Sequence, residues 1–197
     1  MANSTFSGPV RSEGGFKQIS KNSSTGVITD QVTVDSSGNL AQTAGVTNLI
    51  KDVENVTAAT KTLTAADTGT TFLMNRAGGI VITLPTAAAG LHYKFIIGTT
   101  FTGTFSIDAA AAVDIFTAGS TIVISDKDAP GTVSLKQFHA DGSDDDKMTM
   151  DADTKGRFVG GVIDCLGIAT GGQGSATAVW QMNGFTFGDG TLATPFA

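Results

Sequence analysis

Residues 71–97 read TFLMNRAGGIVITLPTAAAGLHYKFII, and this stretch decides the fold class. It contains three short segments rich in β-branched and aromatic residues, at residues 71–74, 80–84 and 92–97. Gly and Pro residues lie between these segments, and the stretch shows almost no helical periodicity. Short apolar segments separated by turn residues are typical of β-strands. The stretch therefore predicts a strand-rich domain.

The same pattern continues on both sides of this stretch. Asn183-Gly184 predicts a hairpin turn, and residues 46–56 predict one short helix. About ten short strands predict an all-β fold, a single jelly-roll-like β-sandwich or β-barrel over residues 46–197. The further strands are predicted at residues 62–63, 104–107, 121–124, 133–138, 147–150, 158–164, 178–182 and 185–187.

A weak internal repeat accompanies these strands. Residues 62–70 and residues 122–132 share the order strand, Asp, Gly-Thr, strand. Two copies are too few for a solenoid, whose repeats depend on neighbours to complete the core. The repeat therefore predicts a doubled hairpin within one sandwich.

Residues 1–45 differ from the rest of the chain. They are rich in Ser, Gly, Asn and Thr, with isolated hydrophobic residues and short strands predicted at residues 27–28 and 32–34. A segment this poor in apolar side chains cannot build a core of its own. It is therefore predicted to be an extended N-terminal arm.

Composition bears on the partners of the protein. Charged residues make up 15% of the 197 residues, below the ~25% of an ordinary soluble domain. Because surface charge keeps copies of a protein apart, we expect a homo-oligomer. The net charge of −6 and the scattered Lys and Arg residues argue against a nucleic-acid or membrane partner. The polar residues 1–12 and the lack of a long apolar run predict a protein without signal peptide or membrane span.

The residues that carry catalytic chemistry are few. His92 and His139 lie in strand-like segments, and Cys165, the single cysteine, lies in an apolar one. No nucleophile motif is found, and the histidines are interpreted as ordinary strand residues and the cysteine as a small buried hydrophobic residue. We therefore expect no enzymatic activity and no cofactor.

An acidic cluster is the one candidate metal site. Asp141, Asp144, Asp145 and Asp146 precede a strand-like segment, and Asp151 and Asp153 follow it. Crowded carboxylates suit Ca²⁺, but the EF-hand spacing is not met. We interpret the cluster as a solvated hairpin tip without metal, with a Ca²⁺ site as the alternative. A metal-dependent hydrolase is less well supported, because no histidine lies near the cluster in sequence.

Two aromatic residues in the C-terminal region have alternative interpretations. Trp180 is interpreted as an anchor in the core or an interface, with a carbohydrate-stacking platform as the alternative. Phe196, next to the C-terminal residue of this sequence, is predicted to be exposed and to dock on a neighbour.

Two stretches resemble a known family. Residues 1–12, MANSTFSGPVRS, followed by Gly15-Phe16, resemble the start of a family of small virion proteins of marine tailed bacteriophages. Residues 63–69, 79–85 and 89–95 (LTAADTG, GIVITLP and AGLHYKF) are similar too, in a pattern that also occurs in phage tail and fibre proteins. The stretches lie within residues 1–16 and 63–95, and the C-terminal third carries no such motif.

The resemblance implies a capsid decoration (cement) protein. Such a protein lies on the capsid exterior after assembly in the host cytoplasm, commonly as a homotrimer, and bridges capsomers of the major capsid protein. Residues 1 to about 20 are then expected to anchor the protein, while the β domain folds without them. By matching position, the expected contacts with the capsid or a neighbour are Phe6, Pro9, Val10, Arg11 and Phe16.

The competing class is a receptor- or carbohydrate-binding module of a tail fibre or capsid spike. Such a module shares the β architecture, but several exposed aromatic side chains should converge at one end of it. Aromatic residues make up only 7% of this chain, and most of them are Phe.

Overall fold

A computed structural model of the chain describes residues 16–21, 24–26, 28–34, 40–42, 53–110, 114–127, 134–169 and 178–197. The chain divides into two compact units, Met1–Ile50 and Lys51–Ala197. Fourteen strands and two short 3₁₀ helices, Ala65–Asp67 and Asp153–Lys155, make up the regular structure over these ranges. The predicted all-β class is confirmed. No helix in the described ranges is long and apolar enough to cross a membrane.

The first unit contains a three-stranded antiparallel sheet. Its strands are β1 (Phe16–Lys21), β2 (Ile28–Val34) and β3 (Leu40–Gln42), in the order β1-β2-β3. Ile28 and residues 32–34, from the two predicted short strands, belong to the single strand β2, and residue 27 lies outside the described residues. The polar residues Asp30 and Gln31 in its middle made the sequence look interrupted.

The second unit contains eleven strands in two sheets. A seven-stranded sheet has the order β11-β10-β14-β13-β8-β6-β4, and a four-stranded sheet has the order β12-β9-β7-β5. The strands are β4 (Val53–Val56), β5 (Thr60–Thr62), β6 (Thr71–Met74), β7 (Val81–Thr83), β8 (His92–Ile97), β9 (Phe105–Asp108), β10 (Thr121–Asp126), β11 (Leu135–His139), β12 (Lys147–Met150), β13 (Val162–Ala169) and β14 (Ala178–Gly188).

Strands β4 to β9 alternate between the two sheets. β4, β6 and β8 lie parallel in the larger sheet, and β5, β7 and β9 lie parallel in the smaller one. The chain thus makes three flattened turns, each with one strand in each sheet. Gly79, with a φ of 90°, and Gly103 lie where successive turns approach so closely that a Cβ would collide with backbone atoms.

The remaining strands complete the sheets mainly by antiparallel pairing. β11 pairs with β10, β14 with β13, β13 with β8 and β12 with β9 in antiparallel fashion, whereas β10 and β14 are parallel. Five pairs among the described strands are parallel. The strand pairing therefore differs from that of a jelly roll, in which paired strands are antiparallel.

The doubled hairpin predicted from the internal repeat is wrong for its first copy. Residues 62–70 connect β5 to β6, which lie in different sheets. The second copy does begin an antiparallel pair, β10 with β11. Similar turn residues thus serve two different connections, because the turn itself does not specify which sheet the next strand joins.

One hydrophobic core lies between the two sheets. Inward side chains of both sheets belong to a single buried cluster. The rings of Phe72 and Phe95 stack at 5.7 Å, and those of Tyr93 and Trp180 lie 5.7 Å apart. Each large apolar side chain contributes about 1.5–3 kcal/mol when fully buried. Trp180 is completely buried, which confirms its interpretation as a core anchor.

The hairpin predicted at Asn183-Gly184 is wrong, because β14 runs through both residues without a turn. β14 lies between β10 and β13 in the sheet. A Cβ on Gly184 would lie 2.8 Å from Ile122 Cδ1 and 2.9 Å from the carbonyl oxygen of Val162. The glycine therefore permits a close approach inside the sheet rather than a turn.

The helix predicted over residues 46–56 is wrong in its described part. Val53–Val56 is the edge strand β4, which pairs in parallel with β6, and residues 46–52 lie outside the described ranges. The three-residue spacing of Val53 and Val56 suggested a helix face, but only Val56 is buried. Hydrogen bonding to the neighbouring strand outweighed this weak periodicity.

Phe196 is buried, so the predicted exposed tail is wrong. Its ring lies 6.2 Å from that of Phe116. Lys147 and Ala197 exchange backbone hydrogen bonds of 3.1 and 2.9 Å. The tail thus pairs with β12 at the edge of the smaller sheet, and this pairing holds Phe196 in the domain's own core.

Candidate assembly surface

The outer face of the seven-stranded sheet carries a continuous row of apolar side chains. The strand registers pair Val123 with Phe185, Phe185 with Val162, Val162 with Ile96, and Ile96 with Leu73. These five residues, which we call the apolar row, span the five adjacent strands β10, β14, β13, β8 and β6. The neighbours of the row along β6, β8, β10 and β13 are buried, and on β14 the neighbouring Thr186 is buried. Strand alternation therefore directs the row away from the core.

The apolar row remains open to solvent. The Phe185 side chain is 43% exposed, and the other four members of the row are partly exposed. The Phe187 ring lies edge-on to Phe185 at 5.2 Å. Leu135, which is 56% exposed, lies on the neighbouring edge strand β11. Solvated sheet faces ordinarily carry polar residues, and a contiguous exposed apolar patch marks an interaction site.

A polar row lies beside the apolar row on the same face, two residues away along each strand. Its members are joined by register across the same five strands: Thr121, Asn183, Asp164, Lys94 and Thr71. Asp164 Oδ1 lies 3.4 Å from His92 Nε2. Lys94, although it lies opposite Asp164, forms no ion pair with any residue in the described ranges.

Both histidines lie on this sheet with exposed side chains, which agrees with their interpretation as ordinary strand residues. His92 begins β8, and its backbone amide donates a 2.8 Å hydrogen bond to Thr68 Oγ1. His139 ends β11, and its Nδ1 lies 3.0 Å from Thr121 Oγ1. Their partners in the described ranges are ordinary surface groups on neighbouring strands and loops.

Cys165 and Tyr93 face the core side by side on β13 and β8. Burial raises the pKa of the Cys165 thiol far above its usual range, so the residue behaves as the predicted buried hydrophobic side chain. Burial, with a smaller contribution from the Asp67 charge, raises the pKa of Tyr93 to about 12. The Tyr93 hydroxyl donates a 2.9 Å hydrogen bond to the carbonyl oxygen of Thr64.

The acidic cluster forms a turn held by its own hydrogen bonds. Oxygens of Asp141, Asp144 and Asp145 lie within 4.8 Å of one another. Asp141 Oδ1 accepts a 2.7 Å hydrogen bond from the Ser143 amide, which lowers the pKa of Asp141. Asp145 Oδ2 accepts one of 2.6 Å from the Asp141 amide, while desolvation raises the pKa of Asp145. The geometry is that of a solvated turn, and the interpretation without metal remains a prediction.

Asp151 and Asp153, the two members of the predicted cluster that follow β12, form ion pairs outside this turn. Asp151 pairs with Lys155 at 3.2 Å, and Asp153 pairs with Arg157 at 2.6 Å. Moreover, β11 and β12 lie in different sheets. Residues 141–146 therefore form a connection between sheets and not the predicted hairpin tip.

Most of the predicted capsid contacts lie beyond what the structure describes. Phe6, Pro9, Val10 and Arg11 lie outside the described residues, and Phe16 is the first residue of β1. The apolar row was not predicted from the sequence. The spacing of Phe185 and Phe187 indicates that one strand has apolar residues on one face. The row across the sheet can be recognised only when the register of five strands is known.

No family model matches the chain, and no curated protein is significantly similar to it. The function is therefore inferred from the surface of the second unit together with the resemblance noted in the sequence.

Proposed function

We propose that the protein is a non-enzymatic virion structural protein that decorates a tailed-phage capsid. In this role it binds the major capsid protein and other copies of itself, with a homotrimer implied by the family resemblance, and it stabilises the capsid by bridging capsomers. The exposed apolar row on the seven-stranded sheet is the observation that carries the proposal.

The physical basis is the free energy gained when the apolar row is covered. Burial of apolar surface contributes about 25 cal/mol per Å², and a lattice of identical subunits multiplies each weak contact through avidity. The low charged fraction of 15% reduces the repulsion between neighbouring copies. A protein with this surface is suited to lie among protein neighbours.

The family resemblance supports the same role. It covers residues 1–16 and much of residues 63–95. The second stretch contains β6 and β8, which supply Leu73 and Ile96 to the apolar row. The part of the chain that resembles phage virion proteins thus also contributes to the proposed surface.

The receptor- or carbohydrate-binding alternative is less well supported. Sugar sites present several aromatic faces together. Among the described residues of the second unit, Phe185 is the one large aromatic side chain that is well exposed, and it lies in a row of aliphatic residues. An aliphatic row suits packing against protein better than stacking against sugar rings.

Deletion of residues 2–15 tests the anchoring role predicted for the start of the chain. The deletion ends before Phe16–Lys21, which is needed for the antiparallel sheet β1-β2-β3. We expect the truncated protein to keep its far-UV β signature and cooperative melting, yet to be lost from virions, which then release their genome at a lower temperature. The matched control replaces the same residues with a Gly-Ser segment of equal length and should behave like the deletion.

Two outcomes would contradict the anchoring role. Failure of the truncated chain to fold would assign residues 2–15 to the fold itself. Full occupancy of capsids by a folded, truncated chain would show that another surface anchors the protein.

A further inference from the structure

The centre of the outer face carries two opposite charges side by side. β13 and β8 are the fourth and fifth of the seven strands, and Asp164 on β13 lies directly opposite Lys94 on β8. The Asp164 side chain is 42% exposed. Lys94 forms no ion pair in the described part of the chain, so its ammonium group can pair with an anion from outside the domain.

This arrangement is complementary to itself. Consider a two-fold axis that runs parallel to the strands, between β13 and β8, and relates two copies face to face. The axis places Asp164 of each copy against Lys94 of the other, because the two residues share one row and lie on either side of the axis. It also places Val162 against Ile96, and Phe185 against Leu73.

We infer that two copies of this chain pack outer face to outer face about this axis, with the apolar rows in contact and two reciprocal Asp164–Lys94 ion pairs. A contact in which each copy contributes the same patch is the usual geometry of symmetric protein pairs. The inference rests on the self-association part of the proposed function and does not depend on the capsid as partner.

The size of the face is sufficient for such a contact. Seven strands at about 4.8 Å spacing and about five residues at about 3.4 Å give a face of roughly 600 Å². Two such faces bury roughly 1,200 Å² together, which reaches the lower limit of stable protein interfaces. Packed sheets lie about 10 Å apart, a distance that extended Lys and Asp side chains span together.

Two charge reversals test the pairing. Asp164→Lys places lysine against lysine in a symmetric pair, and Lys94→Asp places aspartate against aspartate. Each variant alone should bind its own copies about tenfold or more weakly than the wild type. Asp151→Lys, in the ion pair with Lys155, is the matched control and should leave association unchanged.

A mixture of the two reversed variants should restore pairing. In a mixed pair, the lysine introduced into one copy faces the aspartate introduced into the other, and the remaining native Asp164 faces the remaining native Lys94. Both ion pairs are therefore present again, although neither variant can form them with its own copies.

Sedimentation and light scattering report the result at micromolar concentration, with far-UV circular dichroism to show that each variant folds. A two-fold contact doubles the unit that it joins, so we expect two 20.0 kDa chains for a simple pair, or six where the pair joins two of the proposed trimers. Each variant alone should have half the wild-type mass, and the mixture should recover the full mass. A folding defect cannot produce the restoration.

Three results overturn the inference, and they separate it from the proposed function. A monomeric wild-type protein would overturn self-association and this contact together. An oligomer that neither reversal weakens would leave self-association intact and assign this face to another partner, such as capsid protein or a different segment of the chain. Dissociation of both variants without restoration on mixing would exclude the two-fold pairing of Asp164 with Lys94.

Discussion

The two faces of the seven-stranded sheet are supplied by the same strands but carry side chains with different roles. On β14, Trp180 points into the core and is completely buried, whereas Phe185 lies on the outer face and is 43% exposed. On β13, Ile163 is buried between the sheets, and Val162 belongs to the apolar row. The inner residues share one core with the four-stranded sheet. The comparison separates apolar residues that stabilise the domain from those that we propose stabilise an assembly.

The largest expected effect is on the inner face. Trp180→Ala should lower the free energy of unfolding by about 3–5 kcal/mol, because it removes a completely buried ring and leaves a cavity. Urea denaturation of wild type and variant measures the difference. If this variant does not fold, Ile163→Val removes one buried methylene and should cost about 0.5–1.5 kcal/mol. Surface substitutions usually change the free energy of unfolding by less than about 0.5 kcal/mol. A decrease that small for both variants would contradict the assigned core.

The matched change on the outer face should leave folding almost unaffected. Phe185→Ala should lower the free energy of unfolding by less than about 1 kcal/mol when it is measured on dissociated protein at low concentration. The same variant should associate more weakly and occupy fewer capsid sites. A loss of stability as large as that of Trp180→Ala would remove the distinction between the two faces.

The sequence predicted the strands well because local residue preference determines them. Residues 71–74, 92–97 and 147–150 are strands with the predicted bounds. Partner choice is not local: whether β6 pairs with β4 and β8, or with β5, depends on contacts between residues far apart in the chain. The parallel turns of β4 to β9 were therefore missed.

The candidate surface was less predictable than the fold. Gly184 shows why: the dipeptide Asn183-Gly184 is typical of hairpins, but here the glycine accommodates Ile122 and Val162 of neighbouring strands. That error divided β14 into two strands and concealed the position of Phe185 between β10 and β13. A row across five strands requires every register to be known, and the sequence alone does not provide them.

The ionisation of Tyr93 on the inner face should also change the stability of the domain. Its pKa of about 12 in the folded protein lies above the ordinary value of 10.0, so the unfolded chain loses this proton first as pH rises. The stabilising contribution of the neutral phenol is therefore complete below about pH 10 and is lost as pH rises through 12. Since Tyr93 is the single tyrosine, phenolate absorbance reports it directly.

The variant Tyr93→Phe provides the control for this titration. Its stability should fall less between pH 10 and pH 12 than that of the wild type. Phenolate absorbance that rises with a midpoint near 10 while the protein remains folded would contradict the buried position of Tyr93.

No change is expected when divalent cations are removed. We interpret the turn of Asp141, Asp144 and Asp145 as a solvated connection, so EDTA and Ca²⁺ should leave the melting temperature unchanged. A bound ion would raise the stability by several kcal/mol near saturation. A melting temperature that falls in EDTA and recovers with Ca²⁺, but not in an Asp141→Asn variant, would establish a metal site there.

A reconstruction of the virion at side-chain detail tests the central claim most directly. We predict density for this protein on the capsid exterior, with the outer face of the seven-stranded sheet covered by neighbouring protein and Phe185 buried in that contact. A virion in which the protein is present but Phe185 and Leu73 face solvent would contradict the assignment of this face to assembly, and absence of the protein from the capsid would contradict the decoration role.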